Sequence, residues 1–464
     1  MRNTLLIYII NRYIYISILL YLIIFIYWSD NVLSYSFFNF INVFFLLCYI
    51  VLTYVSYFQP DKFYTNVRLV ITTFVYVFCG MMTCCYLSDY YTGNTFFWSM
   101  NDAMIYYKWA NRLIQIDVSQ WIDTLNSANI SFDDWGGIII PALIFKIYPS
   151  KITLNIFYVI LTTIASLSIF RIGKTIMMKR YAYIAALTYS TSSYLLRFNS
   201  TFTKELVMTF IIIESFYYLY KYINEEKIIY LIVSFAISIF IAFYRIPVMV
   251  FFWLAVITYL LFKKKDIQTS TFFILAAIYI ASLSLTVIVE AIDRYTVGGD
   301  ITKSGNYTHA TTFSIYTSII NVCIGPFPDL YRIDNSSAKS IFGSGLLFKL
   351  FLAFPFWIGL LLCIKEKVKK MFPLFVFSLL DIIGLALVND GIEYRKAYPH
   401  VLAYILCSFW YLSEYDEDAN DEVKNSPYYR RVRFLFHIVV FIIFVATLIW
   451  NTYRIDYQFN DAYD

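Results

Sequence analysis

Apolar stretches long enough to cross a lipid bilayer recur from one end of this 464-residue chain to the other. A helix rises about 1.5 Å per residue, so it needs about 20 mostly apolar residues to cross the hydrocarbon. On that measure the sequence predicts roughly thirteen spans. They are Thr4–Trp28, Ser36–Phe58, Val67–Leu87, Ile152–Phe170, Tyr181–Phe198, Glu205–Tyr220 and Ile228–Tyr244. Then come Ile246–Phe262, Thr271–Val289, Ile341–Ile364, Met371–Val388, Ala397–Leu412 and Phe434–Trp450. Gly136–Tyr148 is apolar but too short to cross, and reads as an interfacial or re-entrant piece. Only 14% of residues are charged and 60% are hydrophobic, against about 25% charged in soluble domains. No water-exposed fold hides that much apolar surface. The fold class expected is all-α: one polytopic transmembrane helical bundle over residues 1–464. The first apolar run is longer than the core of a secretion signal and lacks a small-residue cleavage site, so it reads as a retained span.

Lys and Arg in short loops set orientation, because such loops stay cytoplasmic. With the N-terminus inside, Arg2, Lys62 and Arg68, the group Arg171 to Arg180, and Lys221 with Lys227 fall inside. So do Lys263–Lys265, Lys365–Lys370 and Lys424–Arg433. Every second loop is basic, which places the C-terminus outside. Two loops are long and both fall outside, 88–137 and 290–340. Long loops in compact proteins carry function more often than short ones. The net charge of +5 is spread over loops and forms no stripe for nucleic acid. The seven cysteines show neither metal nor disulfide spacing.

Polar groups gather in the loops read as outer. Asp102 follows the third span, and Asp102, Tyr106 and Ala110 share one face if the segment is helical. A carboxylate there, with aromatic neighbours and little water, suits a general base acting on a hydroxyl. The alternative is a helix cap. Asp133 and Asp134 precede Gly136-Gly137; they suit a divalent cation, a sugar contact, or a helix N-terminus, where negative charge is favoured. A third group breaks the charge rule. Lys204, Arg245 and Arg395 each stand at the start of a span that runs inward, where the helix dipole is already positive. Cations there are unfavourable unless an anion joins them, and helix N-termini with Arg make phosphate sites. Lys204 has an alternative reading as the ion-pair partner of Glu205. Asp390 and Glu393, just before Arg395, suit sugar hydroxyls or a self-neutralising turn. His309, His400 and His437 match no metal motif.

Asn101-Asp102 through Ala110, then Gly137 through Pro149, then Ile152–Phe170 with the basic turn Arg171–Arg180, resemble the first outer loop of C-type (GT-C) membrane glycosyltransferases. Thr203-Lys204-Glu205-Leu206 is similar to span starts in bacterial surface-polysaccharide membrane proteins, and Arg395 to Pro399 resembles the Arg-then-Pro span of the same groups. The resemblance implies a sugar or glycan donor on a polyprenyl phosphate or diphosphate and a glycan or lipid-linked acceptor. It implies Asp102 as the base and Arg245, Arg395 and Lys204 on the donor phosphate. Asp133, Asp134, Asp390, Glu393 and Tyr106 are left as sugar, acceptor or metal contacts. No cofactor is assigned, and a divalent metal on the acids stays open. The setting implied is a bacterial plasma membrane, with the site facing out and the product used in O-antigen, polysaccharide or other cell-envelope assembly. Two alternatives stay open: a polymerase of O-antigen or capsule repeat units, and a lipid-linked oligosaccharide flippase. The flippase would place charges at the midplane on discontinuous helices.

Overall fold

The computed structural model describes residues 48–49, 51–92, 102–201, 203–264, 347–366, 368–387 and 398–417, together with Cys323 and Ile438. Among the described residues the regular structure is all helical. The helices are α1 (Asn66–Thr92), α2 (Asp102–Leu113), α3 (Trp121–Ser127), α4 (Trp135–Ile147), α5 (Lys151–Ile176) and α6 (Lys179–Thr191). They continue as α7 (Ser193–Ser200), α8 (Glu205–Glu225), α9 (Ile228–Ile239), α10 (Ile246–Lys264), α11 (Leu347–Glu366), α12 (Phe372–Leu387) and α13 (Tyr398–Glu417). Among the described residues three segments are long and apolar enough to cross a membrane: Asn66–Tyr86 in α1, all of α5, and all of α8. The chain is therefore an integral membrane protein. The spans expected at Thr4–Trp28, Thr271–Val289 and Phe434–Trp450, and the loop 290–340, lie outside the described residues apart from Cys323 and Ile438.

Buried polar contacts fix how the helices run. Thr73 and Ser166 hydroxyls meet at 3.4 Å, and Asn155 Nδ2 donates to Cys85 Sγ at 3.2 Å, so α1 and α5 are antiparallel. Ser166 Oγ donates to the Ala186 carbonyl at 3.1 Å, and α6 runs back along α5. Gly173 lets those two helices close, since a Cβ there would stand 2.7 Å from Ala182 Cβ. Ser168 Oγ donates to Glu214 Oε1 at 2.5 Å, and Tyr158 lies within electrostatic reach of Glu205, so α8 runs parallel to α5. Ser234 Oγ donates to the Ser215 carbonyl, so α9 returns along α8. Trp253 Nε1 donates to Ser238 Oγ, and α10 turns back again. Between α12 and α13, Phe375 packs on Trp410 and Asp381 Oδ2 lies 2.7 Å from His400 Nδ1, an antiparallel pair.

These contacts sort the bundle into two ends. One gathers the C-terminus of α1, the first turns of α5, α8, α10 and α13, and the helices α2 to α4. The other holds Arg68, Arg171, Lys174, Lys179, Lys227, Lys263 and Lys370, all in short turns or within two turns of a helix end.

One feature departs from the sequence reading. The span expected as continuous over Tyr181–Phe198 is broken: α6 stops at Thr191, Ser192 is extended (φ −58°, ψ 125°), and α7 follows. Tyr76 supplies a replacement donor to the Thr191 carbonyl at 3.1 Å, so the neighbouring helix satisfies what the break releases. The described part of the loop 88–137 is largely helical, built from the extension of α1 and from α2, α3 and short 3-10 turns. Trp121 Nε1 holds it by donating to the Leu113 carbonyl at 2.8 Å.

Candidate active site

The site assembles where α2, α4 and α8 begin. Helix α4 is thirteen residues long, about 20 Å at the helical rise, which is short of a full crossing as expected. Its buried side carries Trp135, Gly136, Gly137, Ile138, Pro141, Ala142 and Phe145. The paired glycines are needed for close approach. A Cβ on Gly136 would stand 2.6 Å from Tyr244 Cε1, and one on Gly137 would stand 3.2 Å from Lys204 Cβ and 3.3 Å from Tyr106 Cε2. A side chain at Gly136 would press α4 off Tyr244 at the entry to α10, and one at Gly137 would crowd Lys204 at the start of α8.

Asp134 occupies the N-cap position of α4 but makes no side-chain bond to the helix backbone. Its carboxylate is used elsewhere. Tyr106 donates to Asp134 Oδ1 at 2.6 Å, and Lys204 Nζ donates to the same oxygen at 2.6 Å. Lys204 Nζ also donates to the Asp133 carbonyl at 2.8 Å, with Asp133 Oδ2 at 3.8 Å. Asp133 in turn accepts from Ser131 Oγ. The Lys204 side chain is 11% exposed, so this knot is shielded while its acids remain partly open to solvent. Charge-assisted bonds of this kind are about twice as strong as neutral ones. They tie a loop to a helix start 70 residues away in sequence.

Other residues singled out in the sequence fall as follows. Asp102 is the first residue of α2, one turn before Tyr106. Arg245 follows Tyr244 directly, is half-buried, and its N–H donates to the Ile241 carbonyl at 2.8 Å. It enters α10 at the same end of the bundle as Lys204. Phe243 packs on Phe132 with ring centroids 4.9 Å apart, which fastens that corner to the 131–134 turn. Arg395, Asp390 and Glu393 lie outside the described residues, just before α13, whose first turn is at this end. Lys204 pairs with Asp134 rather than with its neighbour Glu205. Among the described residues no group of three or more His, Cys, Asp or Glu is placed to hold a metal ion.

Tyr244 and Glu205 were not assigned to the site in the sequence reading, and a buried ion pair elsewhere in the bundle was not anticipated. Tyr244 forms the wall behind Gly136. Glu205 is buried at 3% exposure in the first turn of α8. Asp381 and His400 form a fully buried pair. An acid inside the apolar run Phe372–Leu387 was the available signal for the last, since ionisable groups at membrane depth are expensive and call for a named partner.

Residues 138–289 match the family model of dolichyl-phosphate-mannose-protein mannosyltransferases. The match begins one residue after the paired glycines and takes in Lys204, Glu205, Tyr244 and Arg245. No curated protein matches the chain. The matched family is one of GT-C-type glycosyltransferases, so the resemblance read from the sequence is borne out and an enzyme of that type is supported.

Proposed function

We propose that the chain moves a sugar or glycan from a polyprenyl-phosphate or diphosphate donor to an acceptor hydroxyl, at the bundle end where α2, α4, α8 and α10 begin. The observation that carries this reading is the Lys204–Asp134–Tyr106 knot. It fixes the loop that opens with Asp102 against the start of α8, inside the stretch that resembles the mannosyltransferase family.

The chemistry assigned is a displacement. The acceptor oxygen attacks the anomeric carbon, the bond from that carbon to the phosphate oxygen breaks, and the lipid phosphate leaves with the electron pair. Asp102 takes the hydroxyl proton. Arg245 and Arg395 hold the leaving phosphate, where fixed positive charge stands in for a general acid. An ammonium carries three donors, and Asp134 and Asp133 take two of those on Lys204. The third is assigned to a phosphate oxygen. Asp390 and Glu393 are assigned to sugar or acceptor contacts.

The opposite end, rich in Lys and Arg, is assigned to the cytoplasm. The site then faces away from it, in a bacterial plasma membrane, within surface glycan assembly. Asp102→Asn is expected to abolish transfer while membrane insertion and thermal stability are kept; full activity in that variant would remove the base assignment. A single added sugar in the product supports this reading, and a ladder of lengths would replace it with the repeat-unit polymerase.

A further inference from the structure

At the same end of the bundle, the buried polar atoms without a hydrogen-bond partner among the described residues include Asn155 Oδ1, Thr203 Oγ1 and Glu205 Oε2. Their residues are 1%, 4% and 3% exposed. Two of them are close neighbours in the chain, and the third stands in the second turn of α5 at the same bundle end. Thr203 and Glu205 flank Lys204 at the start of α8. Tyr158 lies on α5 one turn beyond Asn155, within electrostatic reach of Glu205 and of Tyr244. The walls are polar as well: Thr162 Oγ1 donates to Asn199 Oδ1 at 3.0 Å, and Asn155 Nδ2 is taken by Cys85 Sγ.

A buried polar atom without a partner costs about 1–3 kcal/mol, and native folds leave few of them. Three together at the mouth of a transferase site call for a ligand that supplies the missing bonds. The chemistry of the three atoms selects it. An amide oxygen and a carboxyl oxygen accept, and a Thr hydroxyl accepts or donates. The matching ligand is rich in donors. Phosphate brings only acceptors at neutral pH and would be set against Glu205, so the anion belongs with Lys204 and Arg245. An ammonium is disfavoured by Lys204 beside the pocket and by Lys151, one turn before Asn155. Neutral hydroxyls on adjacent carbons remain.

We propose that Asn155, Thr203 and Glu205 form the pocket that reads the hydroxyl groups of the donor's sugar. This rests on the transferase reading above, and it makes the three residues determinants of sugar specificity rather than of phosphate affinity.

The test is a binding comparison on the full-length protein in lipid nanodiscs. The probes are polyprenyl phosphate without sugar and the same lipid carrying mannose, glucose, galactose or N-acetylglucosamine. Wild type is expected to prefer one sugar-bearing lipid over the bare phosphate. Glu205→Gln keeps the shape but exchanges an acceptor for a donor, and is expected to weaken that preferred lipid at least about tenfold, one lost bond's worth. Bare polyprenyl phosphate should bind the variant as it binds wild type. Thr203→Val, nearly isosteric, should lower the same preference to a smaller degree, and serves if Glu205→Gln fails to fold. An equal loss for both lipids, or no loss in either variant, overturns the pocket. If wild type binds the bare phosphate but prefers none of the sugar lipids, the pocket falls and the donor-phosphate reading stands. If wild type binds no probe, both fall.

Discussion

Lys204 shows why adjacency in sequence misleads on a helix. Read along the chain, it pairs with Glu205. Successive residues point about 100° apart on a helix and do not face each other. The structure gives Lys204 to Asp134, and leaves a Glu205 carboxyl oxygen for something else. That pairing spans 70 residues and has no periodic signal, so no sequence pattern could have found it. The residue types were legible all the same: acids before Gly136-Gly137, and a cation at a helix start that needed an anion. Lys204→Met should strand a half-buried acid and lower stability by roughly 1–3 kcal/mol, with transfer reduced further than stability. A double variant with Asp134→Asn should recover part of the stability but not the transfer. Thermal unfolding in detergent beside a transfer assay reads both, and independent, additive losses would remove the coupling.

Helix starts and ends were legible wherever apolar runs met basic turns, as at Ile152–Phe170 and Glu205–Tyr220, which lie within α5 and α8. The break at Ser192 was not, because Thr191-Ser192-Ser193 contains neither Gly nor Pro, and the stretch reads as an apolar run. At the far end of α8, Glu226 adopts the left-handed conformation (φ 58°) that closes the helix, and Lys263 bonds its carboxyl at 2.6 Å. Left-handed backbone costs an ordinary residue about 1–2 kcal/mol, and Asn tolerates it better. Glu226→Asn should therefore be near neutral and Glu226→Val should lower the unfolding temperature. The Lys263 hydrogen bond holds the Glu226 carboxyl below the usual carboxylate range. A depressed acid stabilises above its unfolded pKa, and that share is lost as pH falls through the folded value. Any gap between wild type and Glu226→Asn should thus close in acid. On α4, Gly136→Ala drives a methyl into the buried Tyr244 ring and should cost about 1–3 kcal/mol. An unchanged melting temperature in Gly136→Ala would show that Tyr244 gives way.

The described part of the molecule has two unlike ends. The turns at one end are basic, and the end with the candidate site carries helices α2 to α4. Substituted-cysteine labelling checks this after the native cysteines are removed. Positions 148 and 228, both well exposed, should react with a membrane-impermeant reagent from opposite sides. Labelling of both from one side would dismantle the two-ended arrangement and the site built on it. Within that arrangement the interrupted pair α6–α7 sets a condition on its neighbours. Hydrocarbon tails offer no donor to replace Tyr76 on the Thr191 carbonyl, so the seam between that pair and α1 has to stay sealed against the bilayer. On the proposed donor reading, a long isoprenoid tail threading toward Lys204 must then come in along some other flank of the protein.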